Sequence, residues 1–356
     1  MSKISQYMFK KYLIGFILAI SVLLSINLLV LFLSELKNLG NNHYDLSTLL
    51  QYIIMSVPQN FLDTFPYALL IGSMIAFGSM AYHSEIVAIN SHGIGIKKTV
   101  LLILIQTFLL ASIFSYLGNV FAPTFTSYAY EIKNSALLKS NASKELWFKG
   151  QDSIVYAKNI ITEKHLNEVE IYYIDNGIMT STLSAKKAKY YDNNWNLFDV
   201  KIIDISNDKI INKQLLNIPS REFIPFQIIK SLFNKKRHNS IQDLFENIVY
   251  FDEQGLYYED HKVVFWQKVL LPFSCCIIVF ISIPFLFTKV RVINQSQRLV
   301  YGILFGITYF VISSIIINIC LILNIPALIS VFMSMAVFIL FGLFLFNKLV
   351  KSHVPI

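Results

Sequence analysis

The sequence predicts an α-helical membrane protein with six transmembrane helices and an inserted β-jellyroll-like domain. Three observations predict it. Long uncharged runs fall three before and three after a polar stretch from Phe125 to Phe265, that stretch reads as short β runs, and cations collect at one set of run ends. A hydrocarbon core about 30 Å thick takes about 20 apolar residues per helix, so the chain crosses a membrane repeatedly and holds one folded domain off one face. The layout excludes a soluble enzyme.

The uncharged windows are Tyr12–Ser34, Thr64–Tyr82, Thr99–Tyr130, Val269–Thr288 and Leu299–Asn347. The last is too long for one span, and Asn324-Ile325-Pro326 breaks it into two helices with a tight turn, giving six spans in all. The first window is longer than a signal-peptide core and no small-x-small cleavage site follows it, so it reads as a retained helix. Cys275, Cys276 and Cys320 all fall inside predicted spans, where packing explains them better than redox or metal chemistry.

Lysine and arginine in short loops set the direction. Lys3, Lys10, Lys11, Lys97, Lys98, Lys289, Arg291, Arg298, Lys348 and Lys351 share one side with the single acid Glu85, whereas Glu35, Lys37, Asp45 and Asp63 lie opposite. Both termini are expected in the cytoplasm. From Glu131 to Lys262 there are 18 basic and 18 acidic residues, so the net charge of +8 comes from the cytoplasmic loops. The basic balance thus reports membrane orientation, and no nucleic-acid partner is expected.

Within the polar stretch, strands are expected at Glu145–Phe148, Ser153–Asn159, Glu168–Ile174, Ile178–Tyr191, Trp195–Asp204 and Lys209–Asn217. Turns are expected at Asp175-Asn176-Gly177 and Asp192-Asn193-Asn194. Short strands at this spacing favour a sandwich or a curved, jellyroll-like sheet. Beyond Pro225 the pattern turns helical: Ser240 and Asp243 outline a capping box, and Ile241, Leu244, Phe245 and Ile248 form one apolar face.

Several kinds of chemistry are missing. No Gly-x-x-x-x-Gly-Lys-[Ser/Thr] loop occurs, so an ATP-driven step needs another subunit. The spans hold no interior acids of the sort that proton-coupled carriers use. His83, Glu85 and His92 are too loosely spaced for a metal site, and His165, His238 and His261 are isolated. The most distinctive loop is Ser84-Glu85-Ile86-Val87-Ala88-Ile89-Asn90, followed by Gly93, Gly95, Lys97 and Lys98. Ser84 can cap a short helix, Glu85 suits its N-terminal end, and Ile86 and Ile89 give an apolar face. On these mechanics a solvated loop, an interfacial anchor and a docking element are equally well described.

The run Ser56-Val57-Pro58, then Phe65-Pro66, Leu70-Ile71-Gly72, and Ser84-Glu85-Ile86-Val87 through Gly93 resembles the lipopolysaccharide-export permeases of the LptF/LptG family. The resemblance extends over essentially the whole chain, and Phe32 to Gly40, Ser56-Val57-Pro58, Leu146-Trp147 and Ile325-Pro326 favour its LptG-type branch. It implies residues 1–130 as transmembrane helices one to three with a coupling helix near 84–95. Residues 131–262 then form a periplasmic β domain with a trailing amphipathic helix, and 263–356 form helices four to six. It also implies a bacterial inner-membrane location and partners: an LptF-type permease, an LptB-type ATPase dimer that uses ATP and Mg, an LptC-type single-helix subunit and an LptA-type periplasmic bridge. No cofactor is expected in this chain.

The same resemblance implies roles for particular residues. Ser84, Glu85, Ile86, Ile89 and Gly93 match the coupling helix, with Glu85 the first choice for a contact with the ATPase. Lipopolysaccharide carries acyl chains and a phosphorylated sugar head, so its site needs apolar residues and external cations. Lys37, Lys133, Phe32 and Leu31 are the candidates. Lys37 matches a basic family position; Asn38 and Leu31 stand where other family cations lie, and Lys133 replaces an arginine, which keeps charge and loses the bidentate fork. Fewer cations imply weaker charge pairing or a head group with fewer phosphates. The implied mechanism is lateral entry between spans one and five of opposite subunits, then ATP-driven expulsion toward the β domain. A permease of a different exporter, for lipoproteins or peptides, and a membrane-anchored periplasmic scaffold are the rival readings.

Overall fold

The computed structural model describes residues 3–41, 43–137, 146–149, 153–162, 164–175, 178–191, 194–204, 211–220, 229, 239–253, 258–286 and 295–353. Its helices are α1 Lys3–Glu35, closed by a 3-10 turn at Leu36–Asn38, α2 Leu46–Tyr82, α3 Glu85–Ser91 and α4 Ile96–Leu137. After the strands follow α5 Ile241–Glu253, α6 Glu259–Val269, α7 Leu271–Leu286, α8 Gln295–Ile322 and α9 Ala327–His353. The chain packs as two units. One comprises 1–33, 56–125 and 238–356, and the other comprises 34–55 and 126–237.

Five helices among the described residues are long and apolar enough to cross a membrane, and a sixth crossing is available only as the bent pair α6 and α7. The fourth expected span corresponds to that pair: its apolar run starts at Val269, and the described part of α7, Leu271–Leu286, meets α6 at 63°. Pro272 supplies the reason: it has no N–H to continue the α6 ladder, and it sits in the first turn of α7, where that loss is harmless. Lys289 and Arg291, which contribute to the orientation, lie outside the described residues.

The other long helices outrun their apolar windows. At 1.5 Å per residue the 37 residues of α2 reach about 55 Å, well beyond the hydrocarbon thickness. Its polar start is secured by Asp45, whose Oδ1 accepts from Thr48 Oγ1 (2.6 Å), Thr48 N (2.9 Å) and Ser47 Oγ (3.0 Å). The Thr48 hydroxyl, then the Thr48 amide and the Ser47 hydroxyl, hold this carboxyl down at about 2, below its ordinary 3.8. A depressed carboxyl stabilises above its unfolded value and loses that contribution as pH falls through its folded one. Protection of the Thr48 amide, taken relative to its intrinsic exchange rate at each pH, is therefore expected to fall as pH drops from 3.8 to about 2. Protection that stays constant across that interval would contradict the cap.

The membrane-helix unit is built on contact between α1 and α2. Tyr12 and Phe16 of α1, Phe65, Leu69 and Phe77 of α2, Ile103 of α4 and Val279 of α7 share one buried cluster. Tyr12 Oη donates toward Leu69 O at 3.2 Å and also meets Thr107 Oγ1. At Gly15 and Gly72 the two backbones touch: a Cβ on Gly72 would stand 2.6 Å from Phe16 Cα, and one on Gly15 would stand 2.5 Å from Gly72 O. A second cluster joins Leu70 and Ile281 to Tyr309, Val331 and Phe338. The turn expected between spans five and six is present. Asn324 is left-handed (φ 56°), Ile325 N donates to Cys320 O at 2.9 Å and Asn324 N to Leu321 O at 3.0 Å, a helix stop followed by Pro326.

The inserted domain contains an antiparallel sheet, β1 Leu146–Lys149, β2 Ser153–Thr162, β3 His165–Asp175, β4 Ile178–Tyr191, β5 Asn194–Asp204 and β6 Ile211–Ser220. The described strands pair in sequence order as one meander. The turn tips Asn176-Gly177 and Asp192-Asn193 lie outside the described residues, but pairing of Asp175 with Ile178 and of Tyr191 with Asn194 closes both hairpins. One face is buried through Val155, Ala157, Val169, Ile171, Leu183, Ala185 and Val200.

Alternation breaks along one row. Buried neighbours stand three apart instead of two at Leu166 and Val169, Ala185 and Ala188, and Leu197 and Val200. The ladder skips Glu168, Lys186 and Asp199 between them, and Glu168 and Asp199 have positive φ (51° and 54°). Each skipped residue faces another, Lys158 opposite Glu168, Glu168 opposite Lys186, Lys186 opposite Asp199 and Asp199 opposite Leu216, so the register is unchanged across the row and the apolar face stays continuous. Lys158 to Glu168 (2.6 Å) and Lys186 to Asp199 (4.0 Å) put alternating charges along that row.

The predicted capping box is complete. Asp243 N donates to Ser240 Oγ at 3.0 Å, and Ser240 N donates to Asp243 Oδ2 at 3.1 Å. On α5, Leu244 is buried and Ile241 and Ile248 are half-buried, whereas Phe245 faces outward.

Candidate functional site

α3 begins at the expected place, but its local chemistry differs from a hydroxyl cap. Ser84 adopts φ 59°, outside the extended region an N-cap side chain needs, and it serves the helix through its carbonyl, which accepts from Ala88 N at 3.0 Å. At the other end Gly93 has φ 86°, and His92 Nδ1 lies 2.7 Å from Ala88 O. Gly93 acts as a stop in the left-handed region, where a side chain would be strained.

The apolar face of α3 turns inward. Ile86 is 4% exposed and Ile89 packs against the same cluster, so both hold α3 to the membrane helices; the large apolar residue left outward is Val87, 63% exposed, with Ala88 exposed beside it. Periodicity identifies the helix but does not tell which side it shows. Glu85 is also engaged. Its Oε1 accepts from Lys11 Nζ at 3.0 Å and its Oε2 from Tyr7 Oη at 3.0 Å, tying the first turn of α3 to α1. No local pattern marks Lys11 or Tyr7 as a partner of Glu85, since they are 74 and 78 residues away.

The second group gathers where α1 ends. Lys133 of α4 donates to Glu35 Oε1 at 2.5 Å. Glu35 Oε2 accepts from Asn38 Nδ2 at 2.8 Å and from Tyr44 Oη at 3.3 Å. The ammonium of Lys133 also lies 5.0 Å from the centre of the Tyr52 ring. The pair is shielded, with side-chain exposures of 20% for Lys133 and 8% for Glu35. Burial, then the Glu35 charge, pushes the Tyr44 phenol well above its usual range, so it stays a donor to that carboxylate. Lys133 is therefore neutralised within the chain. Lys37, in the 3-10 turn, is exposed, and Leu31 and Phe32 are half-buried on α1.

In the helical unit, Lys268 sits in the last turn of α6. Its ammonium donates to Asn239 O at 2.6 Å and reaches Asn119 Oδ1 at 3.4 Å. It fastens the start of α5 to α4 and is committed to that task.

Comparison with known proteins places these features in a family. The model of the lipopolysaccharide export system permease LptF/LptG family matches residues 6–348. The chain is 24% identical over 352 residues to lipopolysaccharide export system permease protein LptG of Escherichia coli (strain K12), covering 97% of this chain and 98% of that protein. It is 22% identical over 349 residues to the LptG protein of Haemophilus influenzae, covering 94% and 96% respectively. Since the match takes in both halves of the membrane helices and the inserted sheet, the chain belongs to the lipopolysaccharide export system permease LptF/LptG family.

Proposed function

We propose that this chain is the LptG-type permease subunit of an ABC transporter that extracts lipopolysaccharide from the inner membrane and passes it to a periplasmic bridge. The observation that carries the reading is the match over residues 6–348, joined by chain-long relatives of that name. In this reading both termini and α3 face the cytoplasm and the sheet is periplasmic, as the cation distribution favours. An LptB-type ATPase dimer, using ATP and Mg, meets the outward side of α3 around Val87 and drives an LptF-type permease and this chain together. An LptC-type subunit and an LptA-type bridge complete the path.

The chain's own residues divide the work. Val87 offers an apolar knob, while Glu85 links the docking helix to α1 through Lys11 and Tyr7. Motion of α3 is thereby handed to the helix that carries Leu31 and Phe32 toward the lipid, and Lys37 stands at its exposed end for an anionic group. The sheet's continuous apolar face suits acyl chains leaving the membrane.

Mass spectrometry of lipid retained by the complex purified with its native partners tests the assignment. Lipopolysaccharide is expected as the retained species. A stable complex with an ATPase that retains none would favour a lipoprotein or peptide exporter.

A further inference from the structure

We propose that Glu35 is a specificity-determining residue: by holding Lys133 in an internal ion pair it leaves Lys37 as the exposed phosphate-binding cation among the described residues around the end of α1, and so favours a singly phosphorylated lipid head. The inference rests on the lipopolysaccharide reading and deepens it.

The Glu35 carboxylate is fully used inside the chain. Lys133, Asn38 and Tyr44 all direct donors at it, and it is almost completely enclosed. A phosphate approaching Lys133 would have to evict this group or sit beside it. Eviction leaves a buried anion without its cation, and cohabitation places two anions on one ammonium. The Tyr52 ring covers part of the remaining approach. Lys133 is consequently a poor second phosphate site although it carries the expected charge.

Lys37 differs in each respect. The 3-10 turn that follows α1 places it next to Asn38, which is bound inward to Glu35, while Lys37 itself stays exposed. One local turn therefore sorts two neighbouring side chains, one to the internal pair and one to solvent. In the sequence Glu35 reads only as a charge on the external side, because the 98 residues separating it from Lys133 hide the pairing.

The experiment uses the full-length chain in nanodiscs with the subunits that co-purify with it. Affinities are measured for monophosphoryl and diphosphoryl lipid A. Glu35→Gln keeps an acceptor for Asn38 and Tyr44 but releases the lysine charge. It is expected to tighten diphosphoryl lipid A about tenfold and leave monophosphoryl lipid A within about twofold, on the scale of one charge-assisted contact. A folded Glu35→Gln variant with the wild-type ratio of affinities would reduce Glu35 to a structural tie and overturn the proposal. Lys37→Gln provides an independent arm should Glu35→Gln fail to fold. It is expected to weaken monophosphoryl lipid A about tenfold, and an unchanged affinity would also overturn the proposal. Wild-type protein that binds neither lipid would instead count against the lipopolysaccharide reading from which the proposal starts.

Discussion

Lys11→Met is expected to cut lipid transport by at least about tenfold while the ATPase activity of the assembled complex stays within about twofold of wild type. The substitution breaks the ion pair between Lys11 and Glu85, which spans 3.0 Å with side-chain exposures of 31% and 27%. A pair that open to water contributes only about 0.2–1 kcal/mol to stability, so the protein folds and the defect is one of transmission. The mechanical reason lies in the length of α3. Its seven residues make about two turns, too few to hold an orientation alone. Ile86 and Ile89 fix one side of it, and the Glu85 carboxylate, bound at both oxygens, fixes its first turn to α1. Reversing the pair, with Lys11→Glu and Glu85→Lys together, is expected to recover much of the transport that either single change removes. Transport that persists in Lys11→Met, measured against ATP hydrolysis in proteoliposomes, would show that α3 acts without this tie.

Gly72→Val is expected to prevent assembly of the helical unit. The obstacle is main chain: the first added carbon already lies 2.6 Å from Phe16 Cα and 2.7 Å from Phe16 N. Overpacking a well-filled interior costs about 1–3 kcal/mol when side chains can adjust, and here α1 itself must move away from α2. Tyr12, Phe16 and Phe77 would be unseated together. A second glycine gives the contrast. A Cβ on Gly302 meets the flexible end of Met74, so Gly302→Ala should lower the thermal midpoint in detergent much less than a change at Gly72. Equal losses at the two positions would contradict the distinction between backbone and side-chain obstruction.

Much of this architecture is legible in the chain because it depends on local pattern. Apolar length identifies α1, α8 and α9, and Asn324-Ile325-Pro326 carries its own stop signal. The β runs are readable from alternation and turn residues, and the Ser240 box from spacing alone. Other features are invisible for definite reasons. Hydropathy averages over direction, so the 63° break before α7 disappears inside one apolar window. Periodicity gives α3 two faces without saying that Ile86 is covered and Val87 is not. Gly72 falls in a readable small-residue stretch, but its partner Gly15 is unmarked because the close approach joins separate helices. The Glu35 and Lys133 pair is hidden by distance along the chain, and it turns a candidate phosphate ligand into a satisfied internal cation.

The skipped row runs from β2 to β6 through Lys158, Glu168, Lys186, Asp199 and Leu216, and it couples the lengths of these five strands. Deleting Glu168 alone would leave β3 one residue short against two neighbours that still have theirs, and every pair beyond it would slide onto the wrong face. Removing one residue from all five strands at that row would preserve their pairing and restore strict alternation of the buried face instead. Insertions and deletions there have meaning only as a matched set, so this part of the domain can change its length in concerted steps but not one strand at a time.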